Sequence, residues 1–559
     1  MKINDTVFSG YENTRLVSYK ELNDKFPNTF YYDDLFNHNV HGFLKACHYV
    51  DGRLMQTYSE KESHVAVIAG TGLGKTTSYG IPNILSISRQ KEKRTMIISD
   101  PKGEYYRTVA NELKANGYKV MLLNFRDYRH SECWNPLRYI YDLYCDYRSI
   151  KDDVKLVKTK DGNRCEFRGK IYDSQTELDN VIYEYEQVAL KIIENEIDEL
   201  SETVCTVCNK REPYWEQMAQ KLFKAYIWGM IEDIDNKNSM YVIDEHRFNY
   251  ATLMRIIEAV GEDYDYFSER NHVTSRAFRF AQSPLIVNGN VTARCVSSTM
   301  ASKLAAYYNS SISNITIDNS FDFSIFTSNE PLAFFINYSD ESSKDYQVIA
   351  DFVKQVYKYL ISVASKEFDG KLKRQVVFML DEFGNLPEIP NFANVISACR
   401  GRNIYFILIL QSYAQLDYVY GREVSKIIRD NLNVHIFMGT NDFDTLQAFS
   451  NECGEYTRIS PVSALRGTTK NLDQETPETL KRMPKSILSS LKEGDCVVTE
   501  GTSGYVMYSR LERYFRCPEF KEYKEADIND YENRINPYDK KYLFEVNKNR
   551  DDDDNDFSF

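Results

Sequence analysis

The sequence predicts an α/β fold built on a parallel sheet and interrupted by a long helical insertion. Three observations carry that prediction. From His64 onward, short apolar runs alternate with stretches of helical period. A glycine-rich loop ending in Lys75-Thr76 stands between the first apolar run and the first helical stretch. After about Pro136 the alternation gives way to a charged interval with helical spacing, and it resumes at Pro331.

Taken in order, residues 1–60 are polar and rich in Tyr, Asn and Asp, without periodicity, and read as a leader packed on the first domain. His64 to Ala69, Thr95 to Ser99 and Tyr118 to Phe125 read as strands, with helices at about 75–89 and 104–116, the second stopped by Gly117. In the charged interval, Leu178, Ile182, Tyr185, Ala189, Ile193, Ile197 and Leu200 recur every three or four residues, and Val181, Val188 and Ile192 widen the stripe. Further helices are expected at about 214–232, 251–260 and 291–308, so 139–310 reads as an all-α insertion. A strand at Pro331 to Tyr338, a helix at about 345–366 and strands at Gln375 to Leu380, Ile404 to Leu410 and Val434 to Gly439 complete a nucleotide-binding domain made of two segments, 61–138 and 311–518. Residues 519–559 read as a polar C-terminal tail ending in the acidic run Asp551 to Asp556, which is expected to be solvated.

Composition narrows the function classes. In 559 residues, 69 Lys and Arg face 82 Asp and Glu, a net charge of −13 that opposes coating nucleic acid over the whole outer surface. A local basic channel stays compatible with it. Eleven cysteines form no framework and no apolar segment follows Met1, which points to a reducing, cytosolic location. The longest apolar run, Ile404 to Leu410, is far short of the ~18 residues of a membrane span. The eight histidines are scattered, with no Ser/His/Asp triad, Cys/His pair or metal-binding cluster, so hydrolytic chemistry is expected at phosphate.

Ala69-Gly70-Thr71-Gly72-Leu73-Gly74-Lys75-Thr76 fits the phosphate-binding loop, with Ala in place of the first Gly at a position that only closes the turn. A strand enters it and a helix leaves it from Thr77, so backbone N–H groups converge on phosphate oxygens at a helix N-terminus. Lys75 would reach the β- and γ-phosphates of ATP and the Thr76 hydroxyl would ligate Mg²⁺. The run Gln375 to Leu380 ends in Asp381-Glu382, where the Asp would hold the Mg²⁺ shell and Glu382 would polarise the attacking water. Ile404 to Leu410 runs into Gln411, whose amide could sense the γ-phosphate or position water.

These blocks together resemble the TraG/VirD-type type IV coupling proteins, ATPases that deliver DNA and relaxase to a conjugation or secretion channel. The resemblance rests on the loop at Ala69 to Thr77, on Ile98-Ser99-Asp100-Pro101-Lys102-Gly103-Glu104, and on Asn124 with Asn135-Pro136. It continues through Leu380 to Asn385, Cys399-Arg400-Gly401-Arg402 and Leu410 to Leu416, covering about residues 64–455. It implies a RecA-like P-loop NTPase domain with an inserted all-α domain, working as a homo-hexameric ring with ATP bound between subunits. A neighbour's arginine would then enter each site, with Arg400 the first choice and Arg402 the second. It also implies DNA, single-stranded in the first instance, relaxase and channel components as partners. Typical members begin with transmembrane helices and residues 1–60 contain none, so a separate membrane protein is expected to dock the chain at the inner face of the membrane.

Two readings compete with an ATP-driven pump: a receptor whose nucleotide site only locks an oligomer, and a non-conjugative DNA translocase or packaging motor. Among weaker signals, Cys205-Thr206-Val207-Cys208 lacks the second close pair a structural zinc needs. Thr274 to Phe280 interleaves arginine with aromatics and reads as a packed helical edge rather than a base-stacking strip.

Overall fold

The structure, a computed structural model, describes residues 15–18, 28–159, 162–207, 212–237, 239–260, 265–286, 289–341, 343–461, 475–501, 505–521, 523–533, 535–542 and 544–546. The chain divides into two compact units, one of Met1–Leu123, Phe323–Tyr346 and Gln355–Tyr531, the other of Asn124–Asp322, Gln347–Lys354 and Glu532–Phe559. No helix among the described residues is long and apolar enough to cross a membrane.

The first unit is organised by a ten-stranded sheet. Its order is Arg15–Ser18, Tyr505–Arg510, Asp495–Glu500, Leu432–Gly439, His64–Ala69, Ile404–Leu410, Val376–Leu380, Thr95–Asp100, Leu332–Asn337 and Lys119–Asn124. From Leu432–Gly439 to Leu332–Asn337 every pairing is parallel, while Asp495–Glu500 pairs antiparallel with both of its neighbours. The parallel strands are buried on both faces, which is why they read as unbroken apolar runs without alternation. Ile404–Leu410 lies between the strand that enters the phosphate loop and the strand that ends in Asp381, a placement that governs the site described below.

The leader carries more structure than its polar sequence suggests. Thr29–Tyr31, Leu44–Val50 and Arg53–Tyr58 form an antiparallel sheet, and Tyr32, Leu35, Phe43, Leu44 and Leu54 enter the main core. The Lys45 ammonium is 2.6 Å from the Glu500 carboxylate in a buried ion pair, and Glu500 also accepts the Glu60 N–H at 2.7 Å. A charge pair this deep holds because each carboxylate oxygen has a donor.

The second unit is dominated by helices Gln175–Val204, Tyr214–Asp235, Tyr250–Val260 and Gly289–Leu304. It also holds a three-stranded antiparallel sheet, Val154–Thr159, Gly162–Phe167 and Lys170–Tyr172, which corrects the expectation of an insertion without strands. These strands are short and interrupted by charge, so no apolar run announces them; Phe167 and Tyr172 pack against Leu178 and Ile182. The C-terminal segment is a second correction. Ala526 N–H donates to Arg107 O at 2.7 Å and Ile528 packs on the core of the first unit. Farther on, within the second unit, Val242 N–H donates to Glu545 O at 3.1 Å and the Tyr542 hydroxyl to Asp318 at 3.1 Å. Its aromatic and aliphatic side chains give residues 519–546 surface to bury; the acidic run at 551–556 and Cys208 lie outside the described residues. The Arg276–Ala281 helix buries Ala277, Phe278 and Ala281 and lays Arg276 over the Trp228 ring at 4.9 Å, a packed edge as expected.

Candidate nucleotide site

In a parallel sheet all strand C-termini meet at one edge, so the loops that follow them share a crevice. The loop after His64–Ala69 is pinned to its neighbour by Gly70 N–H donating to Gly439 O at 2.8 Å. Gly74 takes φ +90°, and a Cβ there would meet the Ser78 hydroxyl at 2.8 Å, so only glycine makes this turn. The helix then begins with a π-helical turn, Lys75–Gly80, before the α-helix Ile81–Arg89. Such turns widen the first N–H ring and recur at functional sites.

Lys75, only 8% exposed, pairs through its ammonium with Glu382 Oε1. Gln411 Nε2 donates to the other carboxylate oxygen of Glu382 at 3.0 Å, and Gln411 Oε1 lies 3.4 Å from the Thr71 hydroxyl. One connected chain, Thr71 to Gln411 to Glu382 to Lys75, therefore runs from the phosphate loop to the acidic strand and back. It exists because the Gln411 strand is inserted between the other two, so its tip faces both. Glu382 itself sits at φ +52°, a left-handed conformation that costs an L residue about 1–2 kcal/mol. The following Gly384 leaves room for Gln415, whose Oε1 accepts the Gln411 N–H at 2.9 Å.

Asp381 is buried and accepts from the Glu382 N–H at 2.9 Å and the Tyr105 hydroxyl at 3.0 Å. Its backbone carbonyl is held by Ser99 Oγ at 3.0 Å and Tyr338 Oη at 3.2 Å. Burial pushes its carboxyl up to about 6, against the opposing pull of Lys75. Asp100 is also buried and is pushed up to about 7 by desolvation, with Asp381 adding repulsion, although it accepts the Tyr105 and Tyr106 N–H groups at 3.2 and 2.8 Å. The Thr76 hydroxyl and the Asp381 carboxylate are hard oxygen donors, the set Mg²⁺ prefers, and two buried carboxyls raised by desolvation form an environment a divalent cation would relieve.

Among the expected site residues, the structure brings Ala69, Gly70, Thr71, Gly72, Leu73, Gly74, Lys75, Thr76 and Thr77 to this edge together with Asp381, Glu382 and Gln411. Arg400 is not there. It opens the short turn Arg400–Arg402 that precedes Ile404–Leu410, at the opposite edge of the sheet, where its charge acts on His64 and Tyr405. A strand of this length puts it about 20 Å from its own nucleotide loop. Arg400 is exposed, whereas Arg402 is partly buried and donates to Ala398 O at 2.7 Å. Of the residues that hold Asp381, Ser99 lies in the Ile98 to Glu104 block, whereas Tyr105, in the first turn of the helix Glu104–Ala115, and Tyr338, just after the strand Leu332–Asn337, carry no signal of their own. Cys205 is buried, and no group of three or more metal-ligating side chains occurs among the described residues.

The sequence matches the family described as Type IV secretory system Conjugative DNA transfer over residues 28–480. Protein VirD4 of Rhizobium radiobacter is 22% identical over 413 residues, 71% of this chain and 49% of that protein. Protein VirD4 of Rhizobium rhizogenes is 30% identical over 117 residues, 21% of this chain and 17% of that protein. The alignments thus span about half the length of these relatives or less. The structure of the bacterial conjugative coupling protein TrwBdeltaN70 in its unbound monoclinic form is similar at a TM-score of 0.56 and 15% identity, covering 89% of this chain and 93% of that one. TrwB in complex with ADP and Mg²⁺ is similar at a TM-score of 0.54 and 14% identity, covering 92% of this chain and 97% of that one. These likenesses establish the fold, an α/β RecA-like P-loop NTPase domain with an inserted helical domain. With a family match spanning most of its length, the chain belongs to the type IV secretory conjugative DNA transfer family, the TraG/VirD4-type coupling proteins.

Proposed function

We propose that this chain is an ATP-hydrolysing coupling protein that recruits DNA or a relaxase–DNA complex and drives it into a conjugative type IV secretion channel. The observation that carries the reading is the bonded chain Thr71, Gln411, Glu382 and Lys75, which links a phosphate loop to an acid placed to orient water. Lys75 would contact the β- and γ-phosphates of ATP. Thr76 and Asp381 would hold Mg²⁺, which when bound neutralises charge on the phosphates. Glu382 would orient the attacking water, and Gln411 ties that carboxylate to the loop, so phosphate contacts at Thr71 and the geometry of the base move together. The complexes of TrwB with the ATP analogue ADPNP and with ADP and Mg²⁺ support the same ligands here.

Arg400 stands too far from its own loop to act there, so it serves a neighbouring subunit, which supports a ring of identical subunits with a shared site. The inserted helical unit selects cargo, because the other unit is committed to nucleotide and to neighbours. Relaxase, channel components and a separate membrane protein are the expected partners, with the chain peripheral at the inner face of the membrane. The deciding experiment is steady-state ATP hydrolysis by the purified protein with and without single- and double-stranded DNA. Hydrolysis stimulated by DNA and abolished by Lys75→Ala is expected; nucleotide binding with no turnover under any of these conditions would leave a receptor, not a pump.

A further inference from the structure

The block Asp100-Pro101-Lys102-Gly103-Glu104 has no role in the chemistry above, yet it leads directly into the crevice. Asp100 ends its strand and accepts the N–H groups of Tyr105 and Tyr106, so its side chain fixes the first turn of the helix Glu104–Ala115. That turn presents the Tyr105 hydroxyl to Asp381 Oδ2 at 3.0 Å. Tyr105 is 1% exposed. A Cβ on Gly80, in the helix that follows the loop, would lie 2.3 Å from the Tyr105 hydroxyl, so a glycine is required where the phenol passes. Three separate features, the Asp100 cap, the missing Cβ at Gly80 and the bond to Asp381, converge on one phenol.

We infer that Tyr105 is a positioning residue that orients the Asp381 carboxylate for Mg²⁺. The inference rests on the nucleotide-site reading above. Asp381 has two carboxylate oxygens: Oδ1 is engaged by the Glu382 N–H, and the Tyr105 bond orients Oδ2. Without the phenol hydrogen Oδ2 loses its donor, and the carboxylate is held through Oδ1 alone. Cation binding then has to supply the order that the phenol now provides in advance.

The test is Tyr105→Phe, which keeps the ring and removes the hydroxyl. Fluorescent ADP is titrated onto the full-length protein without Mg²⁺ and over a range of Mg²⁺ concentrations, so that the readout is binding and no hydrolysis is involved. Metal-free affinity is expected to stay within about twofold of wild type, while the Mg²⁺ concentration for half-maximal enhancement rises about tenfold, the effect of one lost hydrogen bond to a charged acceptor. Gly80→Ala, which displaces the phenol without removing it, should raise the Mg²⁺ requirement in the same direction. Equal Mg²⁺ dependence in Tyr105→Phe and wild type overturns the positioning role while leaving the nucleotide site standing. Wild-type binding that ignores Mg²⁺ altogether overturns both the positioning role and the assignment of Mg²⁺ to Thr76 and Asp381.

Discussion

Two polar sites at opposite edges of the parallel sheet differ in how they are held. At the C-terminal edge Lys75, Asp381, Glu382 and Gln411 are buried or partly buried and joined by hydrogen bonds and an ion pair. At the N-terminal edge Arg400 stands exposed on a short turn next to Gly401, where an added Cβ would meet nothing within 4 Å. A bonded network is preorganised to act within its own subunit, whereas a solvated arginine with room around it can be donated. The strand between them, Ile404–Leu410, sets Arg400 about 20 Å from the nucleotide loop of its own chain.

The strongest way to break this comparison is at the bonded edge. Lys75→Ala removes the charge facing the phosphates and leaves Glu382 without its cation; ATP hydrolysis should fall by at least about 10³-fold and nucleotide binding should be largely lost. Glu382→Gln should keep binding and reduce turnover to a comparable degree, so that the protein retains ATP on a filter or spin column. Near-normal steady-state hydrolysis by Glu382→Gln would remove it from the role of base.

Arg400→Ala sharpens the comparison from the other side. If the arginine serves a neighbour, its loss should lower hydrolysis by about 10²- to 10³-fold without changing nucleotide affinity. Activity should return in part when the variant is mixed with Glu382→Gln subunits, whose intact arginine serves the mutant's competent site. Activity per subunit that stays constant from dilute to concentrated protein, with no recovery on mixing, would show that the site is complete within one chain.

How much of this was legible beforehand follows the physics of each element. Strands buried on both faces must be apolar throughout, so His64–Ala69, Val376–Leu380 and Ile404–Leu410 stood out within a residue of their observed limits. The loop and the Asp381-Glu382 pair were legible because phosphate and metal chemistry fix residue types at fixed spacing. Strand order was not, since it is decided by long-range pairing, and so the reason Gln411 can touch both Thr71 and Glu382 appears only in the fold. The strands between Val154 and Tyr172 were hidden for a different reason: they are short and interrupted by charged residues, so no apolar run marks them. Tyr105 was hidden because a tyrosine in an amphipathic helix reads as core, and most of its ring is core.

Gln411→Ala should have an intermediate effect. It removes the donor at 3.0 Å from Glu382 but leaves Glu382, Lys75, Thr76 and Asp381 in place. A loss of about 10- to 100-fold in turnover with unchanged nucleotide binding is expected, consistent with a positioned amide in general-base chemistry. An equal loss of binding would instead assign Gln411 to holding the phosphates.

The smallest effect is one of stability, and it tests whether the C-terminal edge is electrostatically strained. Asp100 is raised to about 7 by burial, with Asp381 and Glu104 adding like charge, against an unfolded value near 3.9. Because the folded value lies above the unfolded one, the folded state holds the proton more tightly, and that stabilisation is complete below about pH 4. It is lost as the pH rises to about 7, by at most about 1.4 kcal/mol per pH unit within the window, and the loss is flat above it. Asp100→Asn cannot titrate, and it also weakens one of the two N–H contacts, so it should melt below wild type at pH 5. By pH 8 the gap should narrow by about 2–4 °C for each kcal/mol lost by the wild type. Melting curves are recorded in chelator, since Mg²⁺ at the neighbouring Asp381 would offset the repulsion and mask the trend. A gap that stays constant from pH 5 to pH 8 would mean that the helix cap shields Asp100 completely, and that the bonded edge carries no electrostatic strain for a cation to relieve.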